Sequence, residues 1–235
     1  MEIIKDKDLG DIKLIANSRA KKIIVRRRNG LLQLTHPSSV SISYIKQTIE
    51  EMKPPRLLKL TERETSPRIF TPGTDFKTFS FSLYLRESIS TQNYYMSLKD
   101  GILNISCPAG TDYKDTSTQK TIKELIEKAF RYEANRIFPS KVAHFAKKHG
   151  FTFTGVKINK SRSRWGGSCS SKKSINLSHY CMLLPEHLID FIVLHELCHT
   201  IEMNHGDRFW QLLDKVSDGK ARELTKELKS YKTDW

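Results

Sequence analysis

The first half of the chain alternates apolar and polar residues over short runs, which is typical of strands with one buried face. An Asn-Gly pair at 29–30 and an Asp-Gly pair at 100–101 favour tight hairpin turns within this region. Each pair is followed by a short apolar run, by a proline at the same offset (Pro37 or Pro108), and then by a helical pattern. The two copies stand 71 residues apart. We therefore predict that they are tandem β-β-α units.

The same patterns predict the order of elements along the rest of the chain. Alternation predicts strands over 12–34, Lys77–Leu85, Tyr94–Leu98, Ile102–Ile105, Phe151–Asn159 and 174–177, with a basic loop at 160–174. Helical spacing predicts helices over Ser38–Met52, Thr118–Lys148, from 184–186 onward, Asp207–Val216 and Asp218–Trp235. These elements predict an α+β fold, with a β-rich region over residues 1–117 and a second domain over residues 118–235.

The helix that begins at 184–186 carries the pattern His-Glu-x-x-His after four apolar residues at 191–194. His195 and His199 are one turn apart on the same helix face, so both imidazoles can reach one metal ion. Glu196 lies beside such an ion without needing to bind it. That is the place of a general base that takes a proton from an attacking water.

A catalytic zinc site usually has three protein ligands, so a third ligand is needed. His205 is the favoured candidate, provided that the chain turns after His199, and the Asn and Gly beside it tolerate such a turn. Glu202 is the competing candidate, because it would share the histidine face of an unbroken helix. Later acids, Glu223 and Glu227, are further alternatives. We predict Zn²⁺ bound by His195, His199 and His205.

Composition narrows the class of protein. Hydrophobic residues make up 38% of the 235 residues and charged residues 28%, which is ordinary for a soluble globular protein. No apolar run approaches the roughly 18 residues of a membrane span, and the first residues lack the apolar region of a secretion signal. We therefore expect a cytoplasmic protein that has no membrane partner.

The cysteines and the net charge do not define an additional metal site or nucleic-acid-binding site. The four cysteines form no Cys-x-x-Cys pair, so a four-cysteine zinc site is not expected, and Cys198 is interpreted as a core residue on another face of the helix. The net charge of +14 is compatible with a nucleic-acid partner, an acidic substrate or a solvated basic surface. Because no nucleic-acid-binding motif accompanies it, we favour the solvated surface.

Several short segments together resemble the YgjP-like metallopeptidase family, a zincin-type group that is also similar to SprT-like proteins. The matching segments are Ser-Arg-Trp-Gly-Gly-Ser-Cys at 163–169, Ile-Asn-Leu at 175–177, His-Glu-Leu-Cys-His at 195–199, Asn-His at 204–205 and Phe-Trp at 209–210. The family pattern has one glycine between the tryptophan and Ser-Cys, whereas this chain has two.

The resemblance implies a zincin-like catalytic domain with three histidine ligands, Glu196 as the base, and a peptide or protein as substrate. It also implies that the strand before the zinc helix is an open sheet edge to which an extended peptide can add. On that basis we expect the substrate to lie along Ser174, Ile175, Asn176 and Leu177. By analogy with SprT-like proteins, an alternative is a zincin that processes DNA-bound protein through its basic surface.

Two further residues are candidates for supporting the site. Asp207 either accepts a hydrogen bond from a liganding imidazole or is a favourable charge at a helix N-terminus. Trp165 either anchors its loop in the core or forms a wall beside the substrate, and the anchor is favoured. His179, Tyr180 and Arg164 are candidates for the donor that stabilises the oxyanion.

Overall fold

The computed structural model describes residues 2–7, 9–28, 31–52, 68–89, 92–169, 172–233 and 235. The chain forms two compact units, Met1–Arg68 and Ile69–Trp235. The sequence predicted a boundary between 117 and 118 instead. The difference arises because the second group of strands shares one hydrophobic core with the later helices, as Leu103 in a strand and Phe130 in a helix illustrate.

The first unit is a four-stranded sheet followed by a helix. Strand β2 lies parallel to β4, whose other side pairs antiparallel with β3, so the strand order is β1-β2-β4-β3. Ile12, Leu34 and Ile45 are buried in its core, and the hydroxyl of Ser41 caps the helix by accepting the Tyr44 N–H. The elements are β1 (Glu2–Asp6), β2 (Gly10–Ala16), β3 (Ile24–Arg28), β4 (Leu31–His36) and α1 (Ile42–Met52).

The second unit begins with a sheet of the same topology. Its strands β5 (Ser82–Ser88), β6 (Tyr95–Lys99) and β7 (Ile102–Pro108) have the order β5-β7-β6, and β5 is parallel to β7 while β6 is antiparallel to it. These relations repeat those of β2, β3 and β4. Each copy is thus a β-β-β-α unit, one strand larger than the predicted β-β-α unit. The additional strand is the first of the three, which pairs with the third strand and not with the second, its neighbour in the sequence.

The turn chemistry explains two further boundaries. Asp100 and Gly101 have φ values of 50° and 72°, so the predicted hairpin turn is present there, whereas the pair at 29–30 lies outside the described residues. The predicted strand Lys77–Leu85 begins only at Ser82. The reason is that the Thr78 hydroxyl accepts the Phe81 N–H and donates to the Phe81 carbonyl, which closes a local turn.

A long helix, α2 (Thr116–His149), connects the two sheets of the second unit. The Asp115 carboxylate caps it by accepting the Thr118 N–H at 2.8 Å. Pro139 lies inside this helix, which continues through it. Its buried face, which includes Phe130 and Phe138, lies in the main core.

The last third of the chain builds the sheet and helices around the candidate site. Strand β10 (Ser174–Ser178) lies between β8 (Gly155–Asn159), to which it is parallel, and β9 (Gly166–Cys169), to which it is antiparallel. A 3₁₀ turn at His179–Leu183 follows. Three helices complete the fold: α3 (Glu186–Cys198), α4 (Asp207–Val216) and α5 (Ala221–Leu228).

The predicted α+β class is confirmed, and helix Asp207–Val216 has the predicted bounds. Strand β9 was not predicted, because its sequence Gly-Gly-Ser-Cys lacks the alternation and the β-branched residues of a strand. In the part of the chain that the structure describes, no helix combines the length and the apolar character needed to cross a membrane.

Candidate metal centre

Helix α3 is held firmly in the second unit. Its four apolar residues at 191–194 are buried. At its start, the Lys141 ammonium lies 2.6 Å from a Glu186 carboxylate oxygen and 2.7 Å from one of Asp190, which ties α3 to α2. A helix held by a buried face and by ion pairs near its start gives its side chains defined positions.

The helix ends at Cys198, and the chain turns at once. The N–H groups of Ile201 and Glu202 both donate to the Cys198 carbonyl, which closes the turn. This turn brings His205 back beside His195 and His199. The Nε2 atoms are 3.2 Å apart for 195–199, 3.2 Å for 199–205 and 3.1 Å for 195–205.

This triangle of nitrogens fits a tetrahedral metal ion. Zinc lies about 2.0–2.1 Å from histidine nitrogens, and tetrahedral angles then place two ligand atoms about 3.3–3.4 Å apart. The observed separations of 3.1–3.2 Å correspond to a slight compression of that geometry. Three protein ligands are also the number typical of a catalytic zinc site, whereas a structural site usually has four.

The hydrogen bond of His199 Nδ1 indicates which ring nitrogen is available to a metal. Its Nδ1 lies 3.0 Å from the main-chain oxygen of Glu202, so Nδ1–H donates there and Nε2 keeps its lone pair for a metal. Glu202, the competing third ligand, therefore contributes a carbonyl and not its carboxylate. Among the described residues, the group that can hold an ion consists of His195, His199 and His205.

Aromatic packing holds the three imidazoles from one side. The buried Phe209 of α4 has its ring centroid 5.0 Å from that of His195, 4.5 Å from that of His199 and 4.7 Å from that of His205. The indole N–H of Trp210 donates to the His205 carbonyl at 3.1 Å, which fixes the main chain of that ligand. Two consecutive residues of one helix thus position the whole cluster.

Burial keeps the imidazoles in the form that binds metal. Burial, with the neighbouring His199 and His205, lowers the pKa of His195 to about 3, and burial also lowers the pKa of His199. Both rings are therefore neutral near pH 7, with lone pairs available. Cys198 faces the core as predicted, and burial raises the pKa of its thiol to about 12.

Glu196 lies against the edge strand of the nearby sheet. Its side chain is 5% exposed. A methyl group placed on Gly166 of β9 would lie 2.5 Å from the Glu196 Oε1 and 2.9 Å from Cγ and Cδ. The Glu196 carboxylate thus occupies the space that a side chain at Gly166 would need.

The position of the sheet edge corrects the expectation for the substrate. The strand that holds Ser174, Ile175, Asn176 and Leu177 is paired on both sides, with β8 and with β9, so it cannot accept an added peptide strand. Within the described residues, β9 has a strand partner on one side only. The open edge near α3 is therefore β9, which the sequence had placed in a loop.

The profile of the YgjP-like metallopeptidase domain matches residues 21–231. The chain belongs to the YgjP-like metallopeptidase family. No curated protein matches it. Two solved structures are similar to part of it, both metallopeptidase zymogens. Abylysin of Pyrococcus abyssi is 22% identical, with 39% of this chain and 90% of that chain covered and a TM-score of 0.36. Jannalysin of Methanocaldococcus jannaschii is 21% identical, with 39% and 92% covered and a TM-score of 0.35.

The segment Ser-Arg-Trp-Gly-Gly-Ser-Cys at 163–169, which resembles the family pattern, contains the edge strand β9. Trp165 packs against the core, and its carbonyl accepts the Ser178 N–H at 2.8 Å and the Cys181 thiol at 3.2 Å. These contacts agree with the anchoring role predicted for Trp165. Asp207 is exposed in the first turn of α4, the position of a favourable helix-terminus charge, and the hydrogen bond of His199 Nδ1 goes to Glu202 instead.

The proposed oxyanion donors lie in different surroundings in this YgjP-like metallopeptidase. The Tyr180 hydroxyl donates to Glu127 of α2. His179 is buried and lines a cavity of about 530 Å³ with residues of α2 and β8, the strand farthest from β9 in this sheet. Arg164 is exposed. The basic residues around this loop are also exposed: Lys157, Lys160, Arg162, Lys172 and Lys173.

Proposed function

We propose that this metallopeptidase is zinc-dependent and hydrolyses peptide bonds at the cluster of His195, His199 and His205, with Glu196 as the general base. The observation that carries the proposal is the triangle of Nε2 atoms, 3.1–3.2 Å on each side, next to a buried glutamate. Zinc suits three imidazoles and an open fourth position better than Mg²⁺ or Ca²⁺, which prefer oxygen ligands.

When bound, zinc lowers the pKa of a coordinated water and polarises a carbonyl group. Glu196 then takes the proton of the attacking water and passes it to the amine nitrogen of the leaving peptide. The buried position of the carboxylate suits this role, because a nearly water-free surrounding limits competing proton acceptors.

We further propose that the peptide substrate pairs with the open edge of β9. In the antiparallel ladder with β10, the Ser178 N–H donates to the Trp165 carbonyl, so 165 and 178 form a hydrogen-bonded pair. Such pairs alternate along the ladder, and the main-chain groups of Gly166 and Ser168 consequently face away from β10. An extended peptide could accept and donate hydrogen bonds at these two residues.

The first experiment measures metal content and cleavage together. Purified wild type, Glu196→Gln and His205→Ala are analysed by mass spectrometry for zinc and incubated with a mixed peptide library. We expect about one zinc per chain in wild type and Glu196→Gln, and cleavage reduced about 10²–10⁴-fold in Glu196→Gln. His205→Ala should lose zinc.

Glu202→Ala is the matched control, because its main-chain carbonyl remains in place. It should keep both zinc and cleavage. Undiminished cleavage by Glu196→Gln would contradict the proposed base, and zinc loss in Glu202→Ala alone would contradict the three-histidine site. The DNA-associated alternative rests on the net charge of +14 and is not part of the proposal. A cytoplasmic location remains a prediction.

A further inference from the structure

Gly166 has no conformational reason to be glycine. Its φ does not lie in the left-handed region, unlike that of Gly101 or Gly150. The same holds for its neighbour Gly167. A glycine that is not needed for its backbone angles is either incidental or required for the space that a side chain would fill.

The two neighbouring glycines differ sharply in that space. A Cβ at Gly167 would have nothing within 4 Å, whereas a Cβ at Gly166 would lie 2.5 Å from the Glu196 Oε1. The latter distance is shorter than any real contact of two such atoms. Alanine at 166 therefore requires the Glu196 side chain to move.

The carboxylate has little room for such a movement. Glu196 is buried, and its helix is fixed by apolar neighbours and by the contacts of Lys141 with Glu186 and Asp190. Rotation of the side chain away from β9 would change the distance between the base and the strand edge. A misplacement of about 1 Å can reduce a catalytic rate about 100-fold.

We propose that Gly166 is the positioning residue for the general base. Because Gly166 has no side chain, the Glu196 carboxylate can lie directly against β9. The outward main-chain groups of the same glycine would hold the substrate. One residue thereby fixes the base relative to the peptide. This role rests on the proposed function for its catalytic consequence, while the contact between the two residues stands independently of it.

The kinetic test compares Gly166→Ala with Gly167→Ala, both loaded with zinc. We expect Gly166→Ala to keep about one zinc per chain, to lose about 100-fold in kcat and to keep KM within about threefold. Gly167→Ala should keep kcat within about threefold. In the Glu196→Gln background, Gly166→Ala should cause no further loss, because its effect acts through the carboxylate.

A second test measures thermal unfolding and does not depend on peptidase activity. Gly166→Ala should lower Tm by about 5 °C through overpacking. In the Glu196→Ala background, where the crowded carboxylate is absent, the same substitution should lower Tm by no more than about 1 °C. If Gly166→Ala does not fold alone, refolding of the Gly166→Ala/Glu196→Ala double variant would support the contact, and failure of the double variant to fold would overturn it.

The outcomes separate the two proposals. Absence of cleavage by wild type would contradict the proposed function, yet the thermal cycle would still decide whether Gly166 makes room for Glu196. Additive Tm losses, equal kinetics of the two alanine variants, or zinc loss in Gly166→Ala would each overturn the positioning role.

Discussion

Replacing Phe209 by alanine tests how the three imidazoles are held in place. The ring is fully buried and its centroid lies within 5.0 Å of all three imidazole centroids. Removal of a buried phenylalanine side chain costs about 3–5 kcal/mol of folding stability. For a compact unit of this size, 1 kcal/mol corresponds to about 2–4 °C in Tm, so we expect a decrease of about 10 °C in the metal-free protein.

The substitution should also weaken zinc binding. The rings lose a packing surface that limits their rotation, and loss of such support around metal ligands typically reduces affinity about 10–100-fold. The assay is a competition titration of zinc against a chelating dye, together with thermal unfolding in EDTA and in excess zinc. The increase in Tm that zinc causes should be smaller in Phe209→Ala than in wild type.

Phe130→Ala is the matched control. Phe130 is also fully buried in the second unit, but its aromatic neighbours are Phe76, Phe81, Tyr180 and Trp235, along with His179, rather than the metal cluster. It should lose similar stability and keep the wild-type zinc affinity. If Phe209→Ala and Phe130→Ala both bound zinc as tightly as wild type, α3 and the turn after it would suffice to position the imidazoles, and the reasoning would be refuted.

Two further predictions concern the sheet edge and the long helix. Ser168→Pro removes an N–H that points away from β10, so it should raise KM for peptides about tenfold with little change in Tm. Gly167→Pro removes an N–H that points toward β10, so it should lower Tm. Equal effects of the two substitutions on KM would argue against peptide pairing at β9. The Arg136 guanidinium donates hydrogen bonds of 2.9 and 2.7 Å to the carboxylate of Glu133, which is 4% exposed, and these bonds lower the pKa of that carboxyl. The ion pair therefore stabilises the folded protein at pH values above the ordinary carboxyl pKa near 4.5. This stabilisation is lost as the pH falls below that value and the carboxyl is protonated. Glu133→Gln should therefore be about 1–2 kcal/mol less stable than wild type in urea unfolding at pH 7, and nearly equal to it at pH 3; a pH-independent difference would contradict this.

The cluster of His195, His199 and His205 was predictable from sequence because its signals are local. The spacing of His195 and His199 depends only on helix geometry, and the return of His205 depends on a turn that its neighbours permit. The support from the Glu202 carbonyl could not be predicted, since main-chain atoms carry no signature in the sequence.

The open sheet edge was not predictable for a different reason. Strand order is a non-local property, and the alternation in Ser174–Ser178 does not reveal whether a strand lies at the edge or in the middle of a sheet. The true edge, Gly166–Cys169, contains two glycines and no branched residue, so it matches a loop. Gly166 was a clue, but its lack of a side chain has a meaning only beside Glu196, which is distant in the sequence.

The turn between His199 and His205 has an evolutionary consequence. Its contribution to the metal centre is a carbonyl oxygen of Glu202, while the side chains of Ile201 and Met203 are 57% and 66% exposed. Because every amino acid supplies that oxygen, substitutions at these two exposed positions should be close to neutral, but the gain or loss of a single residue would displace it. Among homologues we expect the residues at 201 and 203 to vary while the number of residues between His199 and His205 stays constant.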